Sequence, residues 1–579
     1  MFAVLSMVDV PRLAPVTFKK EMGAVGPLSD SPSSEGLETC AECGKSLFKP
    51  SYCKLCGRPF CSKHVAPQSH SCPQMVRRAR KGSSRRPLAL VGLGLLVIIA
   101  AALGIHLSRS AGKAGWNGTT VFTDVTLQAG VGDTGSGHGL ALADVDDDGD
   151  IDIYVVNKNG PNVLYRNDGN GSFTDITEIS GAGDFGPGHG AVFLDYDNDG
   201  DLDLYVANWG GKNAPNRLYR NEGNGTFTDV SDQSGISKMR AGASHGCIAL
   251  DFDADGFCDI FASSAEEPPI LLHNNGDGTF EDYSEKAGLR SSPRPHFLSA
   301  VDFDEDGDCD IMVSNSDPSD GDADAPNQFY VNTGRGTFVE LAERTGLLKG
   351  DLHGACFGDF NGDGHIDLLA PDAARGSRMN FLLNDGRGRF HDSTRRSKTW
   401  HTQARTHGMA CGDFDNDGDL DAFLTSRDGN LLFANDGTGV FVEVSEKTGL
   451  AQPHGDTKAA AFFDYDNDGD LDLYVVVHNG MNRLFRNDGT TGNWLAVKLL
   501  GTRSNRDGIG ARIEVRTGSG LQVREVIGGK GHMQDPLVQF FGLGQASAAE
   551  SVTIRWPSGR VQTLRSVEAN QVLVVEEKA

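Results

Sequence analysis

Residues Asp195-Tyr-Asp-Asn-Asp-Gly-Asp-Leu-Asp203 place a carboxylate at alternate positions of a nine-residue stretch, with glycine at the sixth position. The same pattern occurs seven times in the 579-residue chain, at intervals of 51 to 57 residues. Repetition at such a period is typical of proteins built from one small structural unit used many times. The seven copies begin at Asp144, Asp195, Asp251, Asp302, Asp359, Asp413 and Asp464.

Carboxylates at alternate positions of a curled loop converge on one point, and Ca²⁺ takes 6–8 oxygen ligands at about 2.3–2.6 Å. The sixth position is glycine in every copy because the chain must turn sharply there. We expect the seventh position to offer its backbone carbonyl, which explains why Phe257 and His365 are tolerated there. An EF-hand is the less favoured interpretation, because the twelfth position of the first copy is Val155 rather than Glu and the flanking sequence is not helical.

The pattern therefore predicts up to seven calcium sites. The favoured interpretation is that calcium only stiffens these loops; a signalling role is the alternative. The predicted ligand positions, taken loop by loop, are Asp144, Asp146, Asp148, Asp150 and Asp152; Asp195, Asp197, Asp199, Asp201 and Asp203; Asp251, Asp253, Asp255, Phe257 and Asp259; Asp302, Asp304, Asp306, Asp308 and Asp310; Asp359, Asn361, Asp363, His365 and Asp367; Asp413, Asp415, Asp417, Asp419 and Asp421; Asp464, Asp466, Asp468, Asp470 and Asp472.

Each loop is followed by alternating apolar sequence and then by a second landmark, which runs from Asn162 to Asp175 in the first repeat. Its Asn/Asp-Gly turn between apolar segments is typical of a β-hairpin. Several short strands in each repeat of about 50 residues predict the blades of a β-propeller. Further copies of the landmark begin at Asn216, Asn327, Asn380, Asn430 and Asn482.

The two ends of the repeat region complement one another. The first six repeats end in a strand such as Phe173-Thr-Asp175, whereas no such strand follows the seventh turn at 487–492. The missing strand occurs instead at the amino end, as Phe122-Thr-Asp124. A first strand that completes the last blade removes the open edges of a ring. The chain is therefore predicted to be all-β, with a closed seven-bladed propeller over 115–492.

With these two landmarks, residues 115–492 resemble the FG-GAP/VCBS repeat proteins, which include the propellers of integrin alpha subunits. The resemblance implies structural calcium sites and partner binding on a face away from the calcium loops.

Six residues before the first aspartate of each loop stands a histidine in six repeats and a lysine in the seventh. In a propeller this residue opens the innermost strand, so the seven side chains could circle one mouth of the channel. One interpretation is that each forms hydrogen bonds only within its own blade; the other is an axial site for an anion or a transition metal. The seven residues are His138, His189, His245, His296, His353, His407 and Lys458.

Residues 493–579 leave the repeat and are predicted to form a separate β-rich domain. Three segments, 504–511, 541–544 and 556–559, resemble the ASPIC/UnbV domain. Together with the propeller, this makes the region after residue 114 similar to the cartilage acidic protein family. The resemblance implies no reaction for this domain.

Six cysteines and two histidines cluster between positions 40 and 72, near the amino terminus. Eight such ligands are the number that two tetrahedral zinc ions require. A segment this short cannot bury a core, so bound metal would supply its folding free energy. The predicted zinc ligands are Cys40, Cys43, Cys53, Cys56, Cys61, His64, His70 and Cys72.

Residues 39–73 resemble the AN-one type zinc finger. The resemblance implies crossed ligation, with Cys40, Cys43, Cys61 and His64 on one ion and the other four ligands on the second. It also implies a protein-interaction module, so a cytoplasmic protein partner is predicted. Residues 1–38, rich in Pro, Ser and Gly, are predicted to be disordered.

Residues 87–107 carry no Asp, Glu, Lys or Arg and are long enough to cross the hydrocarbon core as one helix. A cleaved signal peptide is the less favoured alternative, because 86 residues precede this stretch. Basic residues crowd the linker at 74–86, so the positive-inside rule places the amino terminus in the cytoplasm. A single-pass, signal-anchor protein of the cell membrane is predicted, with its acidic ectodomain outside.

The net charge of −26 and a pI near 5.0 argue against nucleic-acid binding, which depends on neutralising phosphates. The five cysteines beyond residue 107 lie in apolar runs and are predicted to be buried free thiols. No HExxH sequence occurs. The favoured hypothesis is a cell-surface binding or adhesion module for an extracellular protein or glycan. The alternative is a surface enzyme, polysaccharide-acting or redox, that uses the propeller face.

Overall fold

A computed structural model of the chain divides into two compact units, 1–107 and 108–579. It describes the strand segments Glu38–Thr39, Ser46–Leu47, Ser51–Tyr52 and Pro59–Phe60, which pair first with second and third with fourth. It also describes 116–578 except 117, 119, 211–213, 240–243, 265–267, 290–294, 316–326, 346–351, 353, 373–377, 400–405, 452–454 and 490–491. The eight predicted zinc ligands and the predicted span at 87–107 lie outside the described residues. No helix in the described part is long and apolar enough to cross a bilayer.

The repeats form seven four-stranded antiparallel sheets, which are the blades of a β-propeller. In blades 1 to 6, the four consecutive strands along the chain are neighbours in the sheet. The inner strands are Gly137–Ala143, Gly188–Leu194, Ser244–Leu250, Pro295–Val301, Cys356–Gly358, Thr406–Gly412 and Asp456–Phe463. The second strands are Asp152–Asn157, Asp203–Asn208, Asp259–Ser264, Asp310–Asn315, Asp367–Asp372, Asp421–Ser426 and Asp472–His478.

The outer half of each blade is the predicted hairpin. Its third strands are Val163–Asn167, Arg217–Asn221, Ile270–Asn274, Gln328–Asn332, Arg378–Asn384, Leu431–Asn435 and Arg483–Asn487. The outermost strands of blades 1 to 6 are Phe173–Asp175, Phe227–Asp229, Phe280–Asp282, Phe338–Glu340, Phe390–Asp392 and Phe441–Glu443. Short helices follow at Thr126–Ala129, Thr177–Ser180, Ala342–Thr345, Thr394–Ser397 and Ser445–Thr448, with a 3₁₀ turn at Ile236–Lys238.

The amino-terminal strand completes the last blade, as predicted. Phe122–Asp124 pairs antiparallel with the third strand of blade 7, and Asp124 lies opposite Phe485. The apolar core closes the same ring: among the described residues, a buried cluster fills each of the seven interfaces between neighbouring blades. In the interface between blades 7 and 1, Leu140 and Ile153 pack with Ala459 and Tyr474.

One side-chain hydrogen bond repeats between all neighbouring blades. The last residue of each third strand is an asparagine, and its Nδ2 donates to a backbone carbonyl in the preceding blade. In blade 2, Asn221 donates to the carbonyl of Val145 at 2.8 Å. In blade 1, Asn167 donates at 2.8 Å to Tyr465 of blade 7, so the series closes on itself. The other donors are Asn274, Asn332, Asn384, Asn435 and Asn487, at 2.7–2.9 Å.

The carboxyl-terminal module contributes two sheets of its own and packs with the propeller as one compact unit. A three-stranded sheet contains the parallel pair Asn493–Leu500 and Val572–Glu576, with Gln539–Gly544 on the other side of the first strand. The four-stranded sheet runs in the order Gly520–Glu525, Arg512–Thr517, Ala548–Arg555 and Val561–Glu568.

One segment of this module, 528–535, runs inside the ring of inner strands. Met533–Gln534 adds a parallel strand to the inner strand of blade 1, pairing with Leu140 and Ala141. Cys247 in blade 3 donates its N–H to the carbonyl of Gly531 at 2.9 Å. Sequence analysis did not predict this segment, because no residue in it marks an approach to the propeller.

The close approach of this axial segment explains a glycine in the inner strand of blade 3. A Cβ built on Gly246 would lie 2.6 Å from the backbone of Gly531. Both residues are glycines, so no side chain could rotate to relieve this overlap, and the axial segment would have to shift.

The five cysteines in the propeller are free thiols, as predicted. Four of them, Cys247, Cys258, Cys309 and Cys356, are buried, and Cys411 is half-buried.

We predict that Gly246→Ala destabilises the protein by about 1–3 kcal/mol, because the added methyl overlaps the backbone of the axial segment. Denaturant unfolding of the full chain measures the effect. Gly518→Ala is the matched control, because a Cβ at Gly518 meets no atom within 4 Å. Equal stability of the two variants would show that the axial segment does not pack in the ring as described.

Candidate metal and binding sites

The backbone of each carboxylate loop is organised by its first aspartate. Backbone N–H groups at the fifth and sixth positions donate to this carboxylate in all seven loops, as Asp148 and Gly149 do to Asp144. The glycine at the sixth position has a positive φ in every loop, 94° at Gly149, as the sharp turn requires. The loops therefore hold their curled shape with their own hydrogen bonds.

The third position supplies the strongest indication of a bound cation. One carboxylate oxygen of each aspartate at this position is buried and has no hydrogen-bond partner. A buried, unpaired carboxylate oxygen is costly unless a cation meets it. The six residues are Asp146, Asp197, Asp253, Asp304, Asp415 and Asp466; the remaining loop has Asn361.

The same oxygens lie close to those of neighbouring loop aspartates. In the first loop, ligand atoms of Asp144, Asp146 and Asp152 lie within 4.8 Å of one another. Equivalent groups form at the first, third and fifth positions in the second, third and fourth loops. Apart from His273, whose ring joins Asp253 and Asp259 in the third loop, the donors are carboxylate oxygens, which fit Ca²⁺, the hard cation expected from the sequence.

The ninth position joins the loop to the rest of the blade. Asp152 accepts N–H bonds from Val145 and Asn167, at 2.8 and 2.7 Å. All seven ninth-position aspartates accept the N–H of the asparagine that bonds to the preceding blade. This aspartate therefore positions both the predicted ion and the contact between blades, a second role that the repeat pattern did not reveal.

The seventh position behaves differently from the others. At this position, the side chains of Asp150 and Asp470 accept hydrogen bonds from Asn467 and Asn416, fourth-position residues of the preceding loops, at 2.5 and 2.9 Å. His365, also at the seventh position, contacts Glu305 of the loop before it, 2.7 Å from Nδ1 to Oε1. The seventh side chain thus links adjacent loops. That its backbone carbonyl binds the ion stays a prediction.

Burial raises the pKa of many loop carboxyls. It raises the pKa of Asp152 to about 8 and that of Asp203 to about 9. For Asp195, burial and then the neighbouring Asp507 raise the pKa to about 7. Without a cation, these carboxyls therefore hold protons that they would release on binding calcium.

The carboxyl-terminal module covers the loop end of the propeller and contacts every loop. Lys498 lies 3.5 Å from Asp144, Asp507 accepts the N–H of Asp195 at 2.8 Å, and Glu525 accepts the N–H of Asp302 at 2.9 Å. Asp507 also contacts Cys258 of the third loop, and Arg512 donates to the carbonyl of Gly364 in the fifth. In the sixth and seventh loops, Gly542 donates its N–H to Asp413, and Trp494 lies against Gly469.

The predicted histidine positions lie at the opposite ends of the inner strands from the carboxylate loops. His138, His189 and His245 come together there: ring centroids lie 4.0 Å apart between the first two and 5.3 Å apart between the last two. The carboxyl-terminal module adds His532, whose ring centroid is 5.3 Å from that of His138. We call these four residues the histidine mouth.

Among the described members of the predicted ring, His407 and Lys458 do not join this group. His407 lies 3.1 Å from Asp456 and 3.2 Å from the Nζ atom of Lys458, so these three side chains form their own ionic cluster. His353 and the side chain of His296 lie outside the described residues. A single axial ion shared by all seven positions is therefore not the arrangement in the described part of the ring.

We predict that the calcium-free protein becomes less stable as the pH rises from about 5.5 to about 8. The sign follows because folding raises the pKa of carboxyls such as Asp152 and Asp203, so the folded state binds more protons than the unfolded state. Thermal melting in chelator at several pH values measures this change in stability. Saturating calcium should reverse the trend, since calcium needs ionised carboxylates. A melting temperature in chelator that rises over this range would contradict the prediction.

Comparison with known proteins follows the same division of the chain. The FG-GAP-like repeat model matches 144–206, 195–262, 251–313, 302–370 and 413–475, together half of the chain. The ASPIC and UnbV model matches 501–579, and the AN1-like zinc finger model matches 40–77.

Similar curated proteins are named Cartilage acidic protein 1. The Xenopus tropicalis protein is 26% identical over 477 residues, which cover 66% of this chain and 73% of the relative. The Mus musculus protein is 27% identical over 428 residues, which cover 67% of this chain and 64% of the relative.

Among solved structures, an Agrocybe aegerita lectin that recognises non-reducing terminal N-acetylglucosamine is 19% identical, with a TM-score of 0.35. That match covers 53% of this chain and 79% of the lectin. BBS1N in complex with ARL6DN gives 10% identity and a TM-score of 0.40, over 63% of this chain and 97% of that one. The repeat model covers half of the sequence, and the sheets that it spans are the blades described above; the chain belongs to the FG-GAP-like repeat family.

Proposed function

We propose that this protein is an extracellular binding module, in which calcium stabilises the propeller and a protein or glycan ligand binds at the end of the propeller that carries the histidine mouth. The observation that carries the proposal is the cover over the loop end: the carboxyl-terminal module contacts all seven loops. The surfaces left for a large partner are therefore the opposite end and the sides of the ring.

The calcium part of the proposal rests on the third-position aspartates. Each has a buried carboxylate oxygen without a hydrogen-bond partner, facing a loop whose other donors are also carboxylates. Ions there would neutralise charge on the ninth-position aspartates, which hold the asparagine links between blades. Calcium in the loops would therefore stabilise the ring rather than contact the ligand.

An exposed aromatic side chain supports a ligand surface at the histidine end. Phe185 is 82% exposed, in the connection between the helix Thr177–Ser180 and the inner strand of blade 2. That connection leads directly to His189, at the end of the ring opposite the carboxylate loops. Exposed aromatic side chains are enriched among the residues that anchor protein and glycan partners.

The extracellular location rests on the similarity to Cartilage acidic protein 1 over the propeller and the carboxyl-terminal module. We further propose that residues 87–107 anchor the chain in the cell membrane, and that the zinc finger at 40–77 binds a cytoplasmic protein. The anchored propeller would then connect adhesion outside the cell to a partner inside it.

The calcium part of this function is tested by titration of the chelated, full-length chain in a calorimeter. About seven equivalents should bind, with a large rise in melting temperature. Asp197→Ala should remove about one equivalent, because the loop loses its third-position oxygen ligand. Asp277→Ala changes an exposed turn residue outside the loops, and this variant should bind as the parent does. One or two weak sites in the parent would refute the structural role of calcium.

The binding part is tested with the full chain in calcium against panels of extracellular glycans and matrix proteins. We expect saturable binding that Phe185→Ala weakens by about tenfold, the loss expected for a central aromatic contact. Val561→Ala is the control, because Val561 is 59% exposed on the carboxyl-terminal module. Chemical turnover of a panel member, or equal loss in both variants, would contradict binding at the histidine end.

A further inference from the structure

The histidine mouth brings together imidazoles from three neighbouring blades and from the carboxyl-terminal module. The ring centroids of His189 and His245, and those of His138 and His532, are separated by 5.3 Å in each case. Two imidazoles that share one ion, with metal–nitrogen bonds of about 2.0–2.1 Å, have ring centres roughly 5 Å apart. The spacing of these two pairs fits ligands to a common ion; His138 and His189 are closer, with ring centroids 4.0 Å apart.

His189 is the residue that points most directly to a ligand. Its side chain is 1% exposed, and neither Nδ1 nor Nε2 has a hydrogen-bond partner. A buried imidazole with two unpaired nitrogens loses its bonds to water and gains nothing in return. The carbonyl of the same residue lies 3.2 Å from Nδ1 of His138. Donation to that carbonyl would leave the lone pair of His138 on Nε2, the arrangement that second-shell bonds give to metal-binding histidines.

The surroundings favour a metal over an anion, because an anion needs positive charge nearby. Lys458 forms an ion pair with Asp456 at 3.1 Å, and Lys158 lies over the ring of Trp209, with Nζ 5.7 Å from its centroid. The lone pair of an imidazole nitrogen suits a metal ion.

We propose that His138, His189, His245 and His532 bind one divalent transition-metal ion of the class that prefers imidazole, Cu²⁺ or Zn²⁺. The site is separate from the carboxylate loops and does not depend on the proposed ligand. Because His532 belongs to the axial segment, the ion would fasten the carboxyl-terminal module to blades 1 to 3 from inside the ring.

Trp209 acts as a positioning residue for this site. Its ring stacks on His189, with centroids 4.8 Å apart and planes 15° apart, and meets His245 edge-on at 4.1 Å. A paramagnetic ion bound to either imidazole would lie close enough to quench the fluorescence of this indole. The chain has five tryptophans, so it is the loss of quenching in Trp209→Phe that assigns the ion to this site.

The test uses the full chain loaded with two equivalents of zinc, enough for the predicted finger alone, and saturated with calcium so that the loops are occupied in every sample. Cu²⁺ is the probe, and binding is followed by equilibrium dialysis, by electron paramagnetic resonance and by tryptophan fluorescence. We expect one additional equivalent of copper, nitrogen hyperfine structure from at least two imidazoles, and quenching that disappears in Trp209→Phe while copper still binds.

His189→Gln should lose this equivalent, lowering affinity by at least tenfold, the loss expected from removal of one imidazole ligand. His407→Gln is the matched control, because it removes the equivalent histidine of blade 6, which lies with Asp456 and Lys458. Calcium-dependent melting confirms that each variant is folded, and Trp209→Phe supplies an independent measurement if His189→Gln is not. Equal copper binding in both histidine variants, or quenching that persists in Trp209→Phe, would overturn the proposal.

Discussion

A single hydrogen bond, repeated seven times, holds each blade to the one before it. An asparagine at the end of the third strand donates to a carbonyl of the preceding blade, as Asn221 does to Val145. A buried carboxylate fixes that asparagine by accepting its backbone N–H. Hydrogen bonds to charged groups contribute about 1.5–3 kcal/mol, so seven such arrangements are a large share of the stability of a domain. Loss of one would leave a buried carboxylate without its donor.

The aspartates that hold these asparagines also line the carboxylate loops, which ties the ring to its predicted cations. In the calcium-free protein, burial raises the pKa of Asp203 to about 9. Calcium would replace these protons and keep the carboxylates charged, in the state that accepts the strongest hydrogen bonds. Ion binding and contact between blades are thus two uses of the same buried side chains.

The carboxyl-terminal module affects both ends of the propeller. Its two sheets cover the loop end, where Lys498 and Arg512 meet acidic residues of the loops. Its axial segment runs along the inner strands and brings His532 to the opposite end. Glycines such as Gly246 make room for this segment, because a side chain there would meet backbone. The module is therefore part of the propeller's interior as well as its cover.

By itself, the sequence determined the repeated unit, the number of blades and the strand that closes the last one. These features are local: a turn, an alternating strand and a loop of carboxylates each leave a periodic pattern, and the strand at Phe122 is recognised by what the seventh repeat lacks. The tertiary structure alone decided which histidines gather, because His532 lies almost four hundred residues from His138. It also decided that His407 belongs with Asp456 and Lys458, since the neighbours around a channel depend on how the blades and the axial segment pack.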